Sequence, residues 1–270
     1  MSIEQIVVLA LVQGITEFLP ISSSGHLILV PALMHWKDQG LIVDVMVHMG
    51  SFLAVIVYFR RDVWQLVLGG LELLRGRMTA RARLALYIIL ATIPAVIFGL
   101  AVKKTGLDEA VRGPVIVAVN AVLFGIVMFV ADRFSKQARR VEDMDLKTAL
   151  IIGLAQAVAI IPGTSRSGIT MAAGRFLNLT RAEAARFSFL VGIPAIAGAG
   201  VLVLGDALAS GETISADALL TGGLTFFVAL GAIAFLMRVI TRVGLAPFVL
   251  YRFALAGVLF WLIASGYFAA

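Results

Sequence analysis

VQGITEFLPISSSGH, residues 12–26, sets a glutamine, a carboxylate, three consecutive serines and a histidine into an apolar background and interrupts them at Pro20. Gln13 and Glu17 are four apart and therefore stack on one face of a helix. Pro20 lacks an N–H and clashes with the preceding turn, which ends that helix. Ser22, Ser23 and Ser24 then stand where a second helix begins, since a serine oxygen satisfies free backbone N–H groups at an N-terminus. The stretch reads as two short helices joined by a turn, not as one membrane span.

A second stretch of the same kind is PGTSRSG, residues 162–168. Gln13 precedes Gly25 by twelve positions (25 − 13), and Gln156 precedes Gly168 by the same twelve (168 − 156). Ser22-Ser23-Ser24-Gly25 thus overlays Ser165-Arg166-Ser167-Gly168, and Ser51-Phe52-Leu53 recurs as Ser188-Phe189-Leu190. Thr164 and Ser165 read as caps after Pro162, as the serines do after Pro20.

Around these stretches the chain of 270 residues is 61% hydrophobic and only 14% charged, with mean hydropathy +1.02. Soluble domains carry roughly 45–50% apolar residues, so this is an integral membrane protein. The N-terminus has no basic region ahead of its apolar run and is not expected to be a cleaved signal peptide. With no cysteine, disulfides, thiolate metal sites and a cysteine nucleophile are excluded. The net charge of +6 falls in membrane-flanking loops and marks topology, not a nucleic-acid surface.

Cutting at the charges leaves apolar runs near the ~20 residues that cross a bilayer as helix: Leu84 to Val102, Gly113 to Ala131, Phe187 to Gly205, Ala218 to Met237 and Phe253 to Ala270. A sixth, centred on Val45 to Phe59, extends through Trp64 if Arg60 and Arg61 snorkel. Two segments, 3–35 and 148–175, are polar in the middle. The order is therefore one broken segment and three spans, twice, and three is odd, so the second copy is inverted. The expected fold is an all-α membrane domain over 1–270, with repeats at about 1–135 and 145–270. Six transmembrane helices and two re-entrant helix pairs build a site near the midplane.

On that topology sixteen Lys and Arg collect on one face, including Arg60, Arg61, Arg133, Arg175, Arg181 and Arg186, and only Lys37, Lys103, Lys104 and Arg112 on the other. Positive residues favour the cytoplasm, so both termini and the mouth of the first broken segment are expected to face outward. Trp36, Trp64 and Trp261 fall near span ends.

Two helix N-termini directed into the membrane centre make an anion site. Arg166 adds a fork suited to phosphate oxygens. Plainer roles exist for each residue: Glu17 as an ion-pair partner locking Arg166, the serines as caps, His26 as a packing histidine. His35 and His48 read as interfacial, Arg252 as a snorkelling or helix-end charge, Asp44 and Asp132 as boundary residues.

Together, VQGITEFLPISSSGH and PGTSRSG, with FSFLVGIPA and the late FVLYRFALAG, resemble the undecaprenyl-diphosphatase family of bacitracin-resistance membrane phosphatases across nearly the whole chain. The resemblance implies hydrolysis of undecaprenyl diphosphate to the monophosphate in the plasma membrane, recycling the lipid carrier of cell-wall synthesis. It also implies a site opening to the periplasm, a homodimer and dependence on Mg2+ or Ca2+. The family's acidic motif falls on Gln13 and Glu17, with Glu17 as catalytic acid and metal ligand and Gln in place of a first carboxylate. Ser23 and His26 match its candidate nucleophile and proton carrier, and Arg166 its phosphate-binding arginine. Ser22, Ser24, Thr164, Ser165, Ser167, Gly168 and Gln13 are the expected substrate-binding residues. Either Ser23 attacks phosphorus, with His26 or Glu17 as base, or His26 attacks and Ser23 orients; the three-residue spacing of Ser23 and His26 predicts contact. Acid-type lipid phosphatases carry similar fragments but need a further histidine after the arginine, and none follows Arg166. The competing class is an inverted-repeat transporter or lipid flippase with Glu17 as a proton site.

Overall fold

The computed structural model describes residues 1–37, 39–105 and 113–268. Arg112 and the last two alanines of the expected final span lie outside them. The first broken segment is α1 (Ile3–Thr16) and α2 (Ser23–Leu33). There follow α3 (Leu41–Tyr58), α4 (Arg60–Leu74), α5 (Ala80–Thr105) and α6 (Pro114–Phe134). The second broken segment is α7 (Leu146–Val158) and α8 (Arg166–Phe176), followed by α9 (Arg181–Ala209), α10 (Ala216–Val243) and α11 (Ala246–Ala264). Six helices, α3, α5, α6, α9, α10 and α11, are long and apolar enough to cross a membrane, as the hydropathy predicted.

Local chemistry sets most of the boundaries. Ser2 and Gln5 close a capping box at the start of α1, and Asp145, Thr180 and Ser215 each accept a backbone N–H at the starts of α7, α9 and α10. One expectation fails. The third helix stops at Tyr58, because Phe59 leaves helical geometry (φ −94°, ψ 27°) and Arg60 starts a new element. On α4, Trp64, Val67, Leu71 and Leu74 are exposed at spacings of three and four. Such an exposed apolar stripe, with Arg60, Arg61 and Asp62 at its start, suits a helix lying along a membrane surface, not a continuation of the span.

The two copies embrace each other. The first helix of each broken pair packs on the middle span of the other copy, α1 against α10 and α7 against α5. Small residues bring these backbones together, as in membrane helix pairs generally. A Cβ on Gly153 would overlap the carbonyl of Ala91, and one on Gly50, where α3 meets α10, would overlap that of Gly222. The main buried cluster runs from Phe18 and Ile21 of the first turn through Phe187, Phe189 and Leu190 of α9 to Ile233 and Leu236 of α10.

Ion pairs and hydrogen bonds gather the helix ends onto two faces. On one, the Met1 ammonium meets Asp217 at 2.5 Å, Lys103 pairs with Asp206, and the Tyr267 hydroxyl donates to the Leu33 carbonyl at 3.1 Å, so both ends of the described chain share that face. On the other, Asp132 binds Arg175 and Arg181, and Arg186 binds Asp62 and Glu142. The expected segregation of arginines is therefore built into the contacts.

Forcing a side chain into the α3–α10 contact should cost about 1–3 kcal/mol. Gly50→Ala is expected to lower the thermal midpoint of the purified protein in detergent by several degrees, whereas Gly70→Ala, where a Cβ meets nothing within 4 Å, should leave it unchanged.

Candidate active site

The turns between the broken helices adopt the same unusual backbone. Ser22 (φ 78°) and Ser165 (φ 71°), equivalent by the twelve-residue overlay, are two of four described non-glycine residues with positive φ. Such conformations cost about 1–3 kcal/mol and persist only where the surroundings impose them. In both turns the hydroxyl faces that of the serine two residues on, 3.4 Å from Ser22 to Ser24 and 3.3 Å from Ser165 to Ser167. The copies then diverge. Ser165 caps α8 by accepting from the Gly168 amide at 3.2 Å, whereas Ser22 makes no side-chain cap bond. The N-terminus of α2 is thus the more open anion-binding end.

Glu17 joins the two turns. Its Oε1 accepts from Arg166 Nη2 at 2.7 Å; its Oε2 accepts from the Ser23 hydroxyl at 2.7 Å and from Gln13 Nε2 at 3.2 Å. The carboxylate is 7% exposed and the guanidinium 16%, so the pair is largely desolvated. Arg166 Nη1 is buried with no hydrogen-bond partner among the described residues. It packs against Gly192 of α9, where a Cβ would overlap it.

This group opens into a cavity of about 390 Å3 lined by Glu17, Ser22, Ser23, Ser24, Ser165 and Arg166 at its polar end, with Asp44 and His48 on α3. Its remaining wall is apolar, from Ala195 to Val203 on α9 and Leu41 and Val45 on α3. Leu41 and Val203 lie toward the helix ends on the face that carries the termini, so the cavity opens there.

Not every expected residue reaches it. Gln13 is fully buried behind Glu17, and Thr164, also fully buried, leaves its hydroxyl without a partner among the described residues and so caps nothing there. Ser167 donates to the Leu19 carbonyl at 3.3 Å, and the Gly168 amide is spent on Ser165. These four frame the turns without lining the cavity. The expected Ser23–His26 contact is also absent. His26 Nδ1 donates to the Ser22 carbonyl at 2.7 Å, which leaves Nε2 to accept the Tyr251 hydroxyl at 2.7 Å. The ring swings back along α2 and braces the strained Ser22, while the Ser23 hydroxyl turns to Glu17. Arg252 neither snorkels nor sits at a helix end: it is fully buried and donates to the carbonyls of Asn120, Ala121 and Gly163, holding the second turn.

His48 and Asp44, read as peripheral, are in the cavity. His48 Nδ1 donates to the Asp44 carbonyl at 2.7 Å, and its Nε2 points toward Glu17, 3.9 Å from Oε2. Only their four-residue spacing on a span could have flagged them. His35, by contrast, bonds Tyr267 at 3.0 Å near the terminal face, as expected of an interfacial residue.

Glu17 and Asp44 are the acids of the cavity, and no three His, Cys, Asp or Glu side chains cluster to hold a metal among the described residues. Mg2+ and Ca2+ require about six or more oxygen ligands. The residues fit only a cation that brings most of its shell with it, from water or phosphate oxygens.

Fold and site together define a polytopic membrane protein in which a hydroxyl, a carboxylate and a guanidinium meet at a cavity between the turns of two broken helix pairs. The chain belongs to the bacitracin resistance protein BacA family, whose model matches residues 6–258. It is similar to proteins named undecaprenyl-diphosphatase from Maricaulis maris (48% identical, covering 94% of this chain and 97% of the relative) and Erythrobacter litoralis (46%, again 94% and 97%). A third, from Alteromonas mediterranea, is 45% identical over 97% of this chain and 99% of its own length.

Two substitutions outside the turns test this geometry. Gly192→Ala should displace Arg166 and reduce turnover of a prenyl diphosphate by about 10²-fold, as ångström-scale misplacement does. Tyr251→Phe removes one neutral hydrogen bond of ~1 kcal/mol. It should lower kcat about fivefold at unchanged KM, with the fold intact by thermal midpoint.

Proposed function

We propose that this protein hydrolyses undecaprenyl diphosphate to undecaprenyl phosphate and inorganic phosphate in the bacterial plasma membrane. The observation that carries the reading is the Ser23 hydroxyl bonded to the Glu17 carboxylate, which is itself held by Arg166, a guanidinium whose fork suits phosphate oxygens. A 2.7 Å O–H···O contact is within the reach required of a general base. The names of the relatives support the same substrate. Transport needs no such nucleophile–base pair, so hydrolysis is the reading favoured.

The prenyl tail lies along the apolar wall between α3 and α9, and the diphosphate enters the polar end. There its oxygens compete with Glu17 for Arg166. Withdrawing that guanidinium releases Glu17 to act as a base, so substrate binding itself activates the nucleophile. Ser23 Oγ then attacks the terminal phosphorus, its proton passing to Glu17 Oε2. The bond to the bridging oxygen breaks and undecaprenyl phosphate leaves. Water attacks the phosphoserine, Glu17 returns its proton to the departing Ser23 Oγ, and both protons of the water leave with the inorganic phosphate. The α2 amides face the developing charge. The route with His26 as nucleophile is not favoured, because both ring nitrogens are engaged and neither bonds Ser23. His26 instead positions Ser22.

A divalent cation, Mg2+ or Ca2+, would be held by Glu17 and Asp44 together with diphosphate oxygens, and would neutralise phosphate charge. Lysine and arginine distribution supports placing the terminal face and the cavity mouth outside, with the arginine-rich face in the cytoplasm. The homodimer implied by the resemblance is part of the proposal and is tested by light scattering of the protein in detergent.

The experiment is acid quench of purified protein mixed with prenyl diphosphate labelled in its terminal phosphate. A labelled phosphoserine at Ser23 is expected, absent in Ser23→Ala, with Glu17→Gln lowering kcat by about 10²–10⁴-fold. Label on His26, or turnover retained by Ser23→Ala, would overturn the serine route. Absence of phosphate release from the wild-type protein would overturn hydrolysis.

A further inference from the structure

The arginine-rich face holds a second cavity, of about 300 Å3, that shares no lining residue with the first. Phe129, Asp132, Arg133, Arg175, Arg181 and Val243 line it, at the ends of α6, α8, α9 and α10. Three guanidinium groups face one carboxylate there, a net charge of +2 (3 − 1). Asp132 is fully spent. Its Oδ1 accepts from Arg175 Nε at 3.1 Å and Arg181 Nε at 2.8 Å, and its Oδ2 from Arg181 Nη2 at 2.9 Å and the Leu245 amide at 3.0 Å. Arg175 is 1% exposed and also donates to the carbonyls of Ser135 and Leu179, so it pins the helix ends together. Arg181 Nη1 and the whole guanidinium of the exposed Arg133 make no hydrogen bond or ion pair among the described residues. Among the described residues Arg133 therefore faces this cavity with no carboxylate partner, and Arg181, paired with Asp132, keeps its Nη1 free to donate.

The apolar part of the lining gives the direction. Phe129 lies one helical turn before Arg133 on α6 and is 47% exposed on a helix that reads as a membrane span, while Val243, 44% exposed, is the last residue of α10. A hydrocarbon-facing aromatic side chain thus lies one turn beneath the unpaired Arg133 at a span end. That vertical order is the order of a phospholipid, acyl chain below and phosphate above. The lack of any free carboxylate to receive an ammonium favours an anionic headgroup over a zwitterionic one.

We propose that this cavity binds the phosphodiester of an anionic phospholipid of the membrane, with Arg133 and Arg181 Nη1 on the phosphate and Phe129 against the chain. The bound lipid fastens α6, α9 and α10 at the face opposite the catalytic mouth. The proposal is independent of what the first cavity does.

The test is native mass spectrometry of the purified protein in detergent with dioleoyl phosphatidylglycerol or dioleoyl phosphatidylcholine, and with glycerol 3-phosphate as a chain-free control. Phosphatidylglycerol is expected to be retained in preference to phosphatidylcholine. Arg133→Gln should lose about fivefold in that retention, the worth of one cationic contact of ~1 kcal/mol near an anionic headgroup, and Arg133→Lys should recover most of it. The thermal midpoint of Arg133→Gln without lipid should match the wild type, since that side chain holds no other element. Equal retention of the two lipids, or an Arg133→Gln protein that keeps its preference, would overturn the site. Glycerol 3-phosphate competing as well as phosphatidylglycerol would show a free phosphate ester to be the ligand and overturn the lipid assignment.

Discussion

The salt bridge between Glu17 and Arg166 spans 149 residues of sequence and closes the molecule around its midplane. Two unlike charges are removed from water there, and a pair of this kind is worth keeping only if its geometry and remaining hydrogen bonds are good. They are good on one side only. Both oxygens of Glu17 accept hydrogen bonds, from Arg166, Ser23 and Gln13, whereas Arg166 keeps a buried nitrogen without a partner among the described residues. The acid is thus satisfied in the free protein and the arginine is not, which is the asymmetry expected of a site waiting for an anion.

Everything else in the fold serves to bring those two turns together. The crossed packing of α1 on α10 and α7 on α5 makes each copy the support of the other's broken segment. Within the turns the symmetry is kept in the backbone, at Ser22 and Ser165, and broken in the chemistry. One turn caps its helix and offers an arginine; the other leaves its helix uncapped and offers a hydroxyl. The last span then secures both, through Tyr251 on His26 and Arg252 on the carbonyl of Gly163. Two adjacent residues of α11 therefore reach two different turns.

Much of this was legible in the sequence because polar residues in a hydrocarbon setting are rare and expensive. The broken segments, the six spans and the meeting of Glu17 with Arg166 all follow from that cost. The failures have a common origin in side-chain direction. Spacing placed Ser23 and His26 on one helix face, but it could not reveal that the imidazole turns back to the Ser22 carbonyl and outward to Tyr251. Gln13 and Ser167 share motifs with lining residues and yet point away from the cavity. His48 looked interfacial because its depth depends on how far α3 tilts against the first turn. Tyr251 and Gly192 act only through contacts between distant segments. The break at Phe59 was hidden because Val63 and Trp64 resume the apolar pattern after Arg60, Arg61 and Asp62, and the two long arginine side chains could have snorkelled from a continuous span.

In the proposed mechanism the carboxylate and guanidinium are one device: substrate takes the arginine, and the freed acid takes the serine proton. A double-mutant cycle in kcat/KM for prenyl diphosphate hydrolysis, with Glu17→Gln, Arg166→Gln and the combined variant, tests this most directly. Groups that act as a unit are strongly non-additive, so the double variant is expected to be scarcely worse than the more damaged single one. Losses that multiply independently would contradict the account.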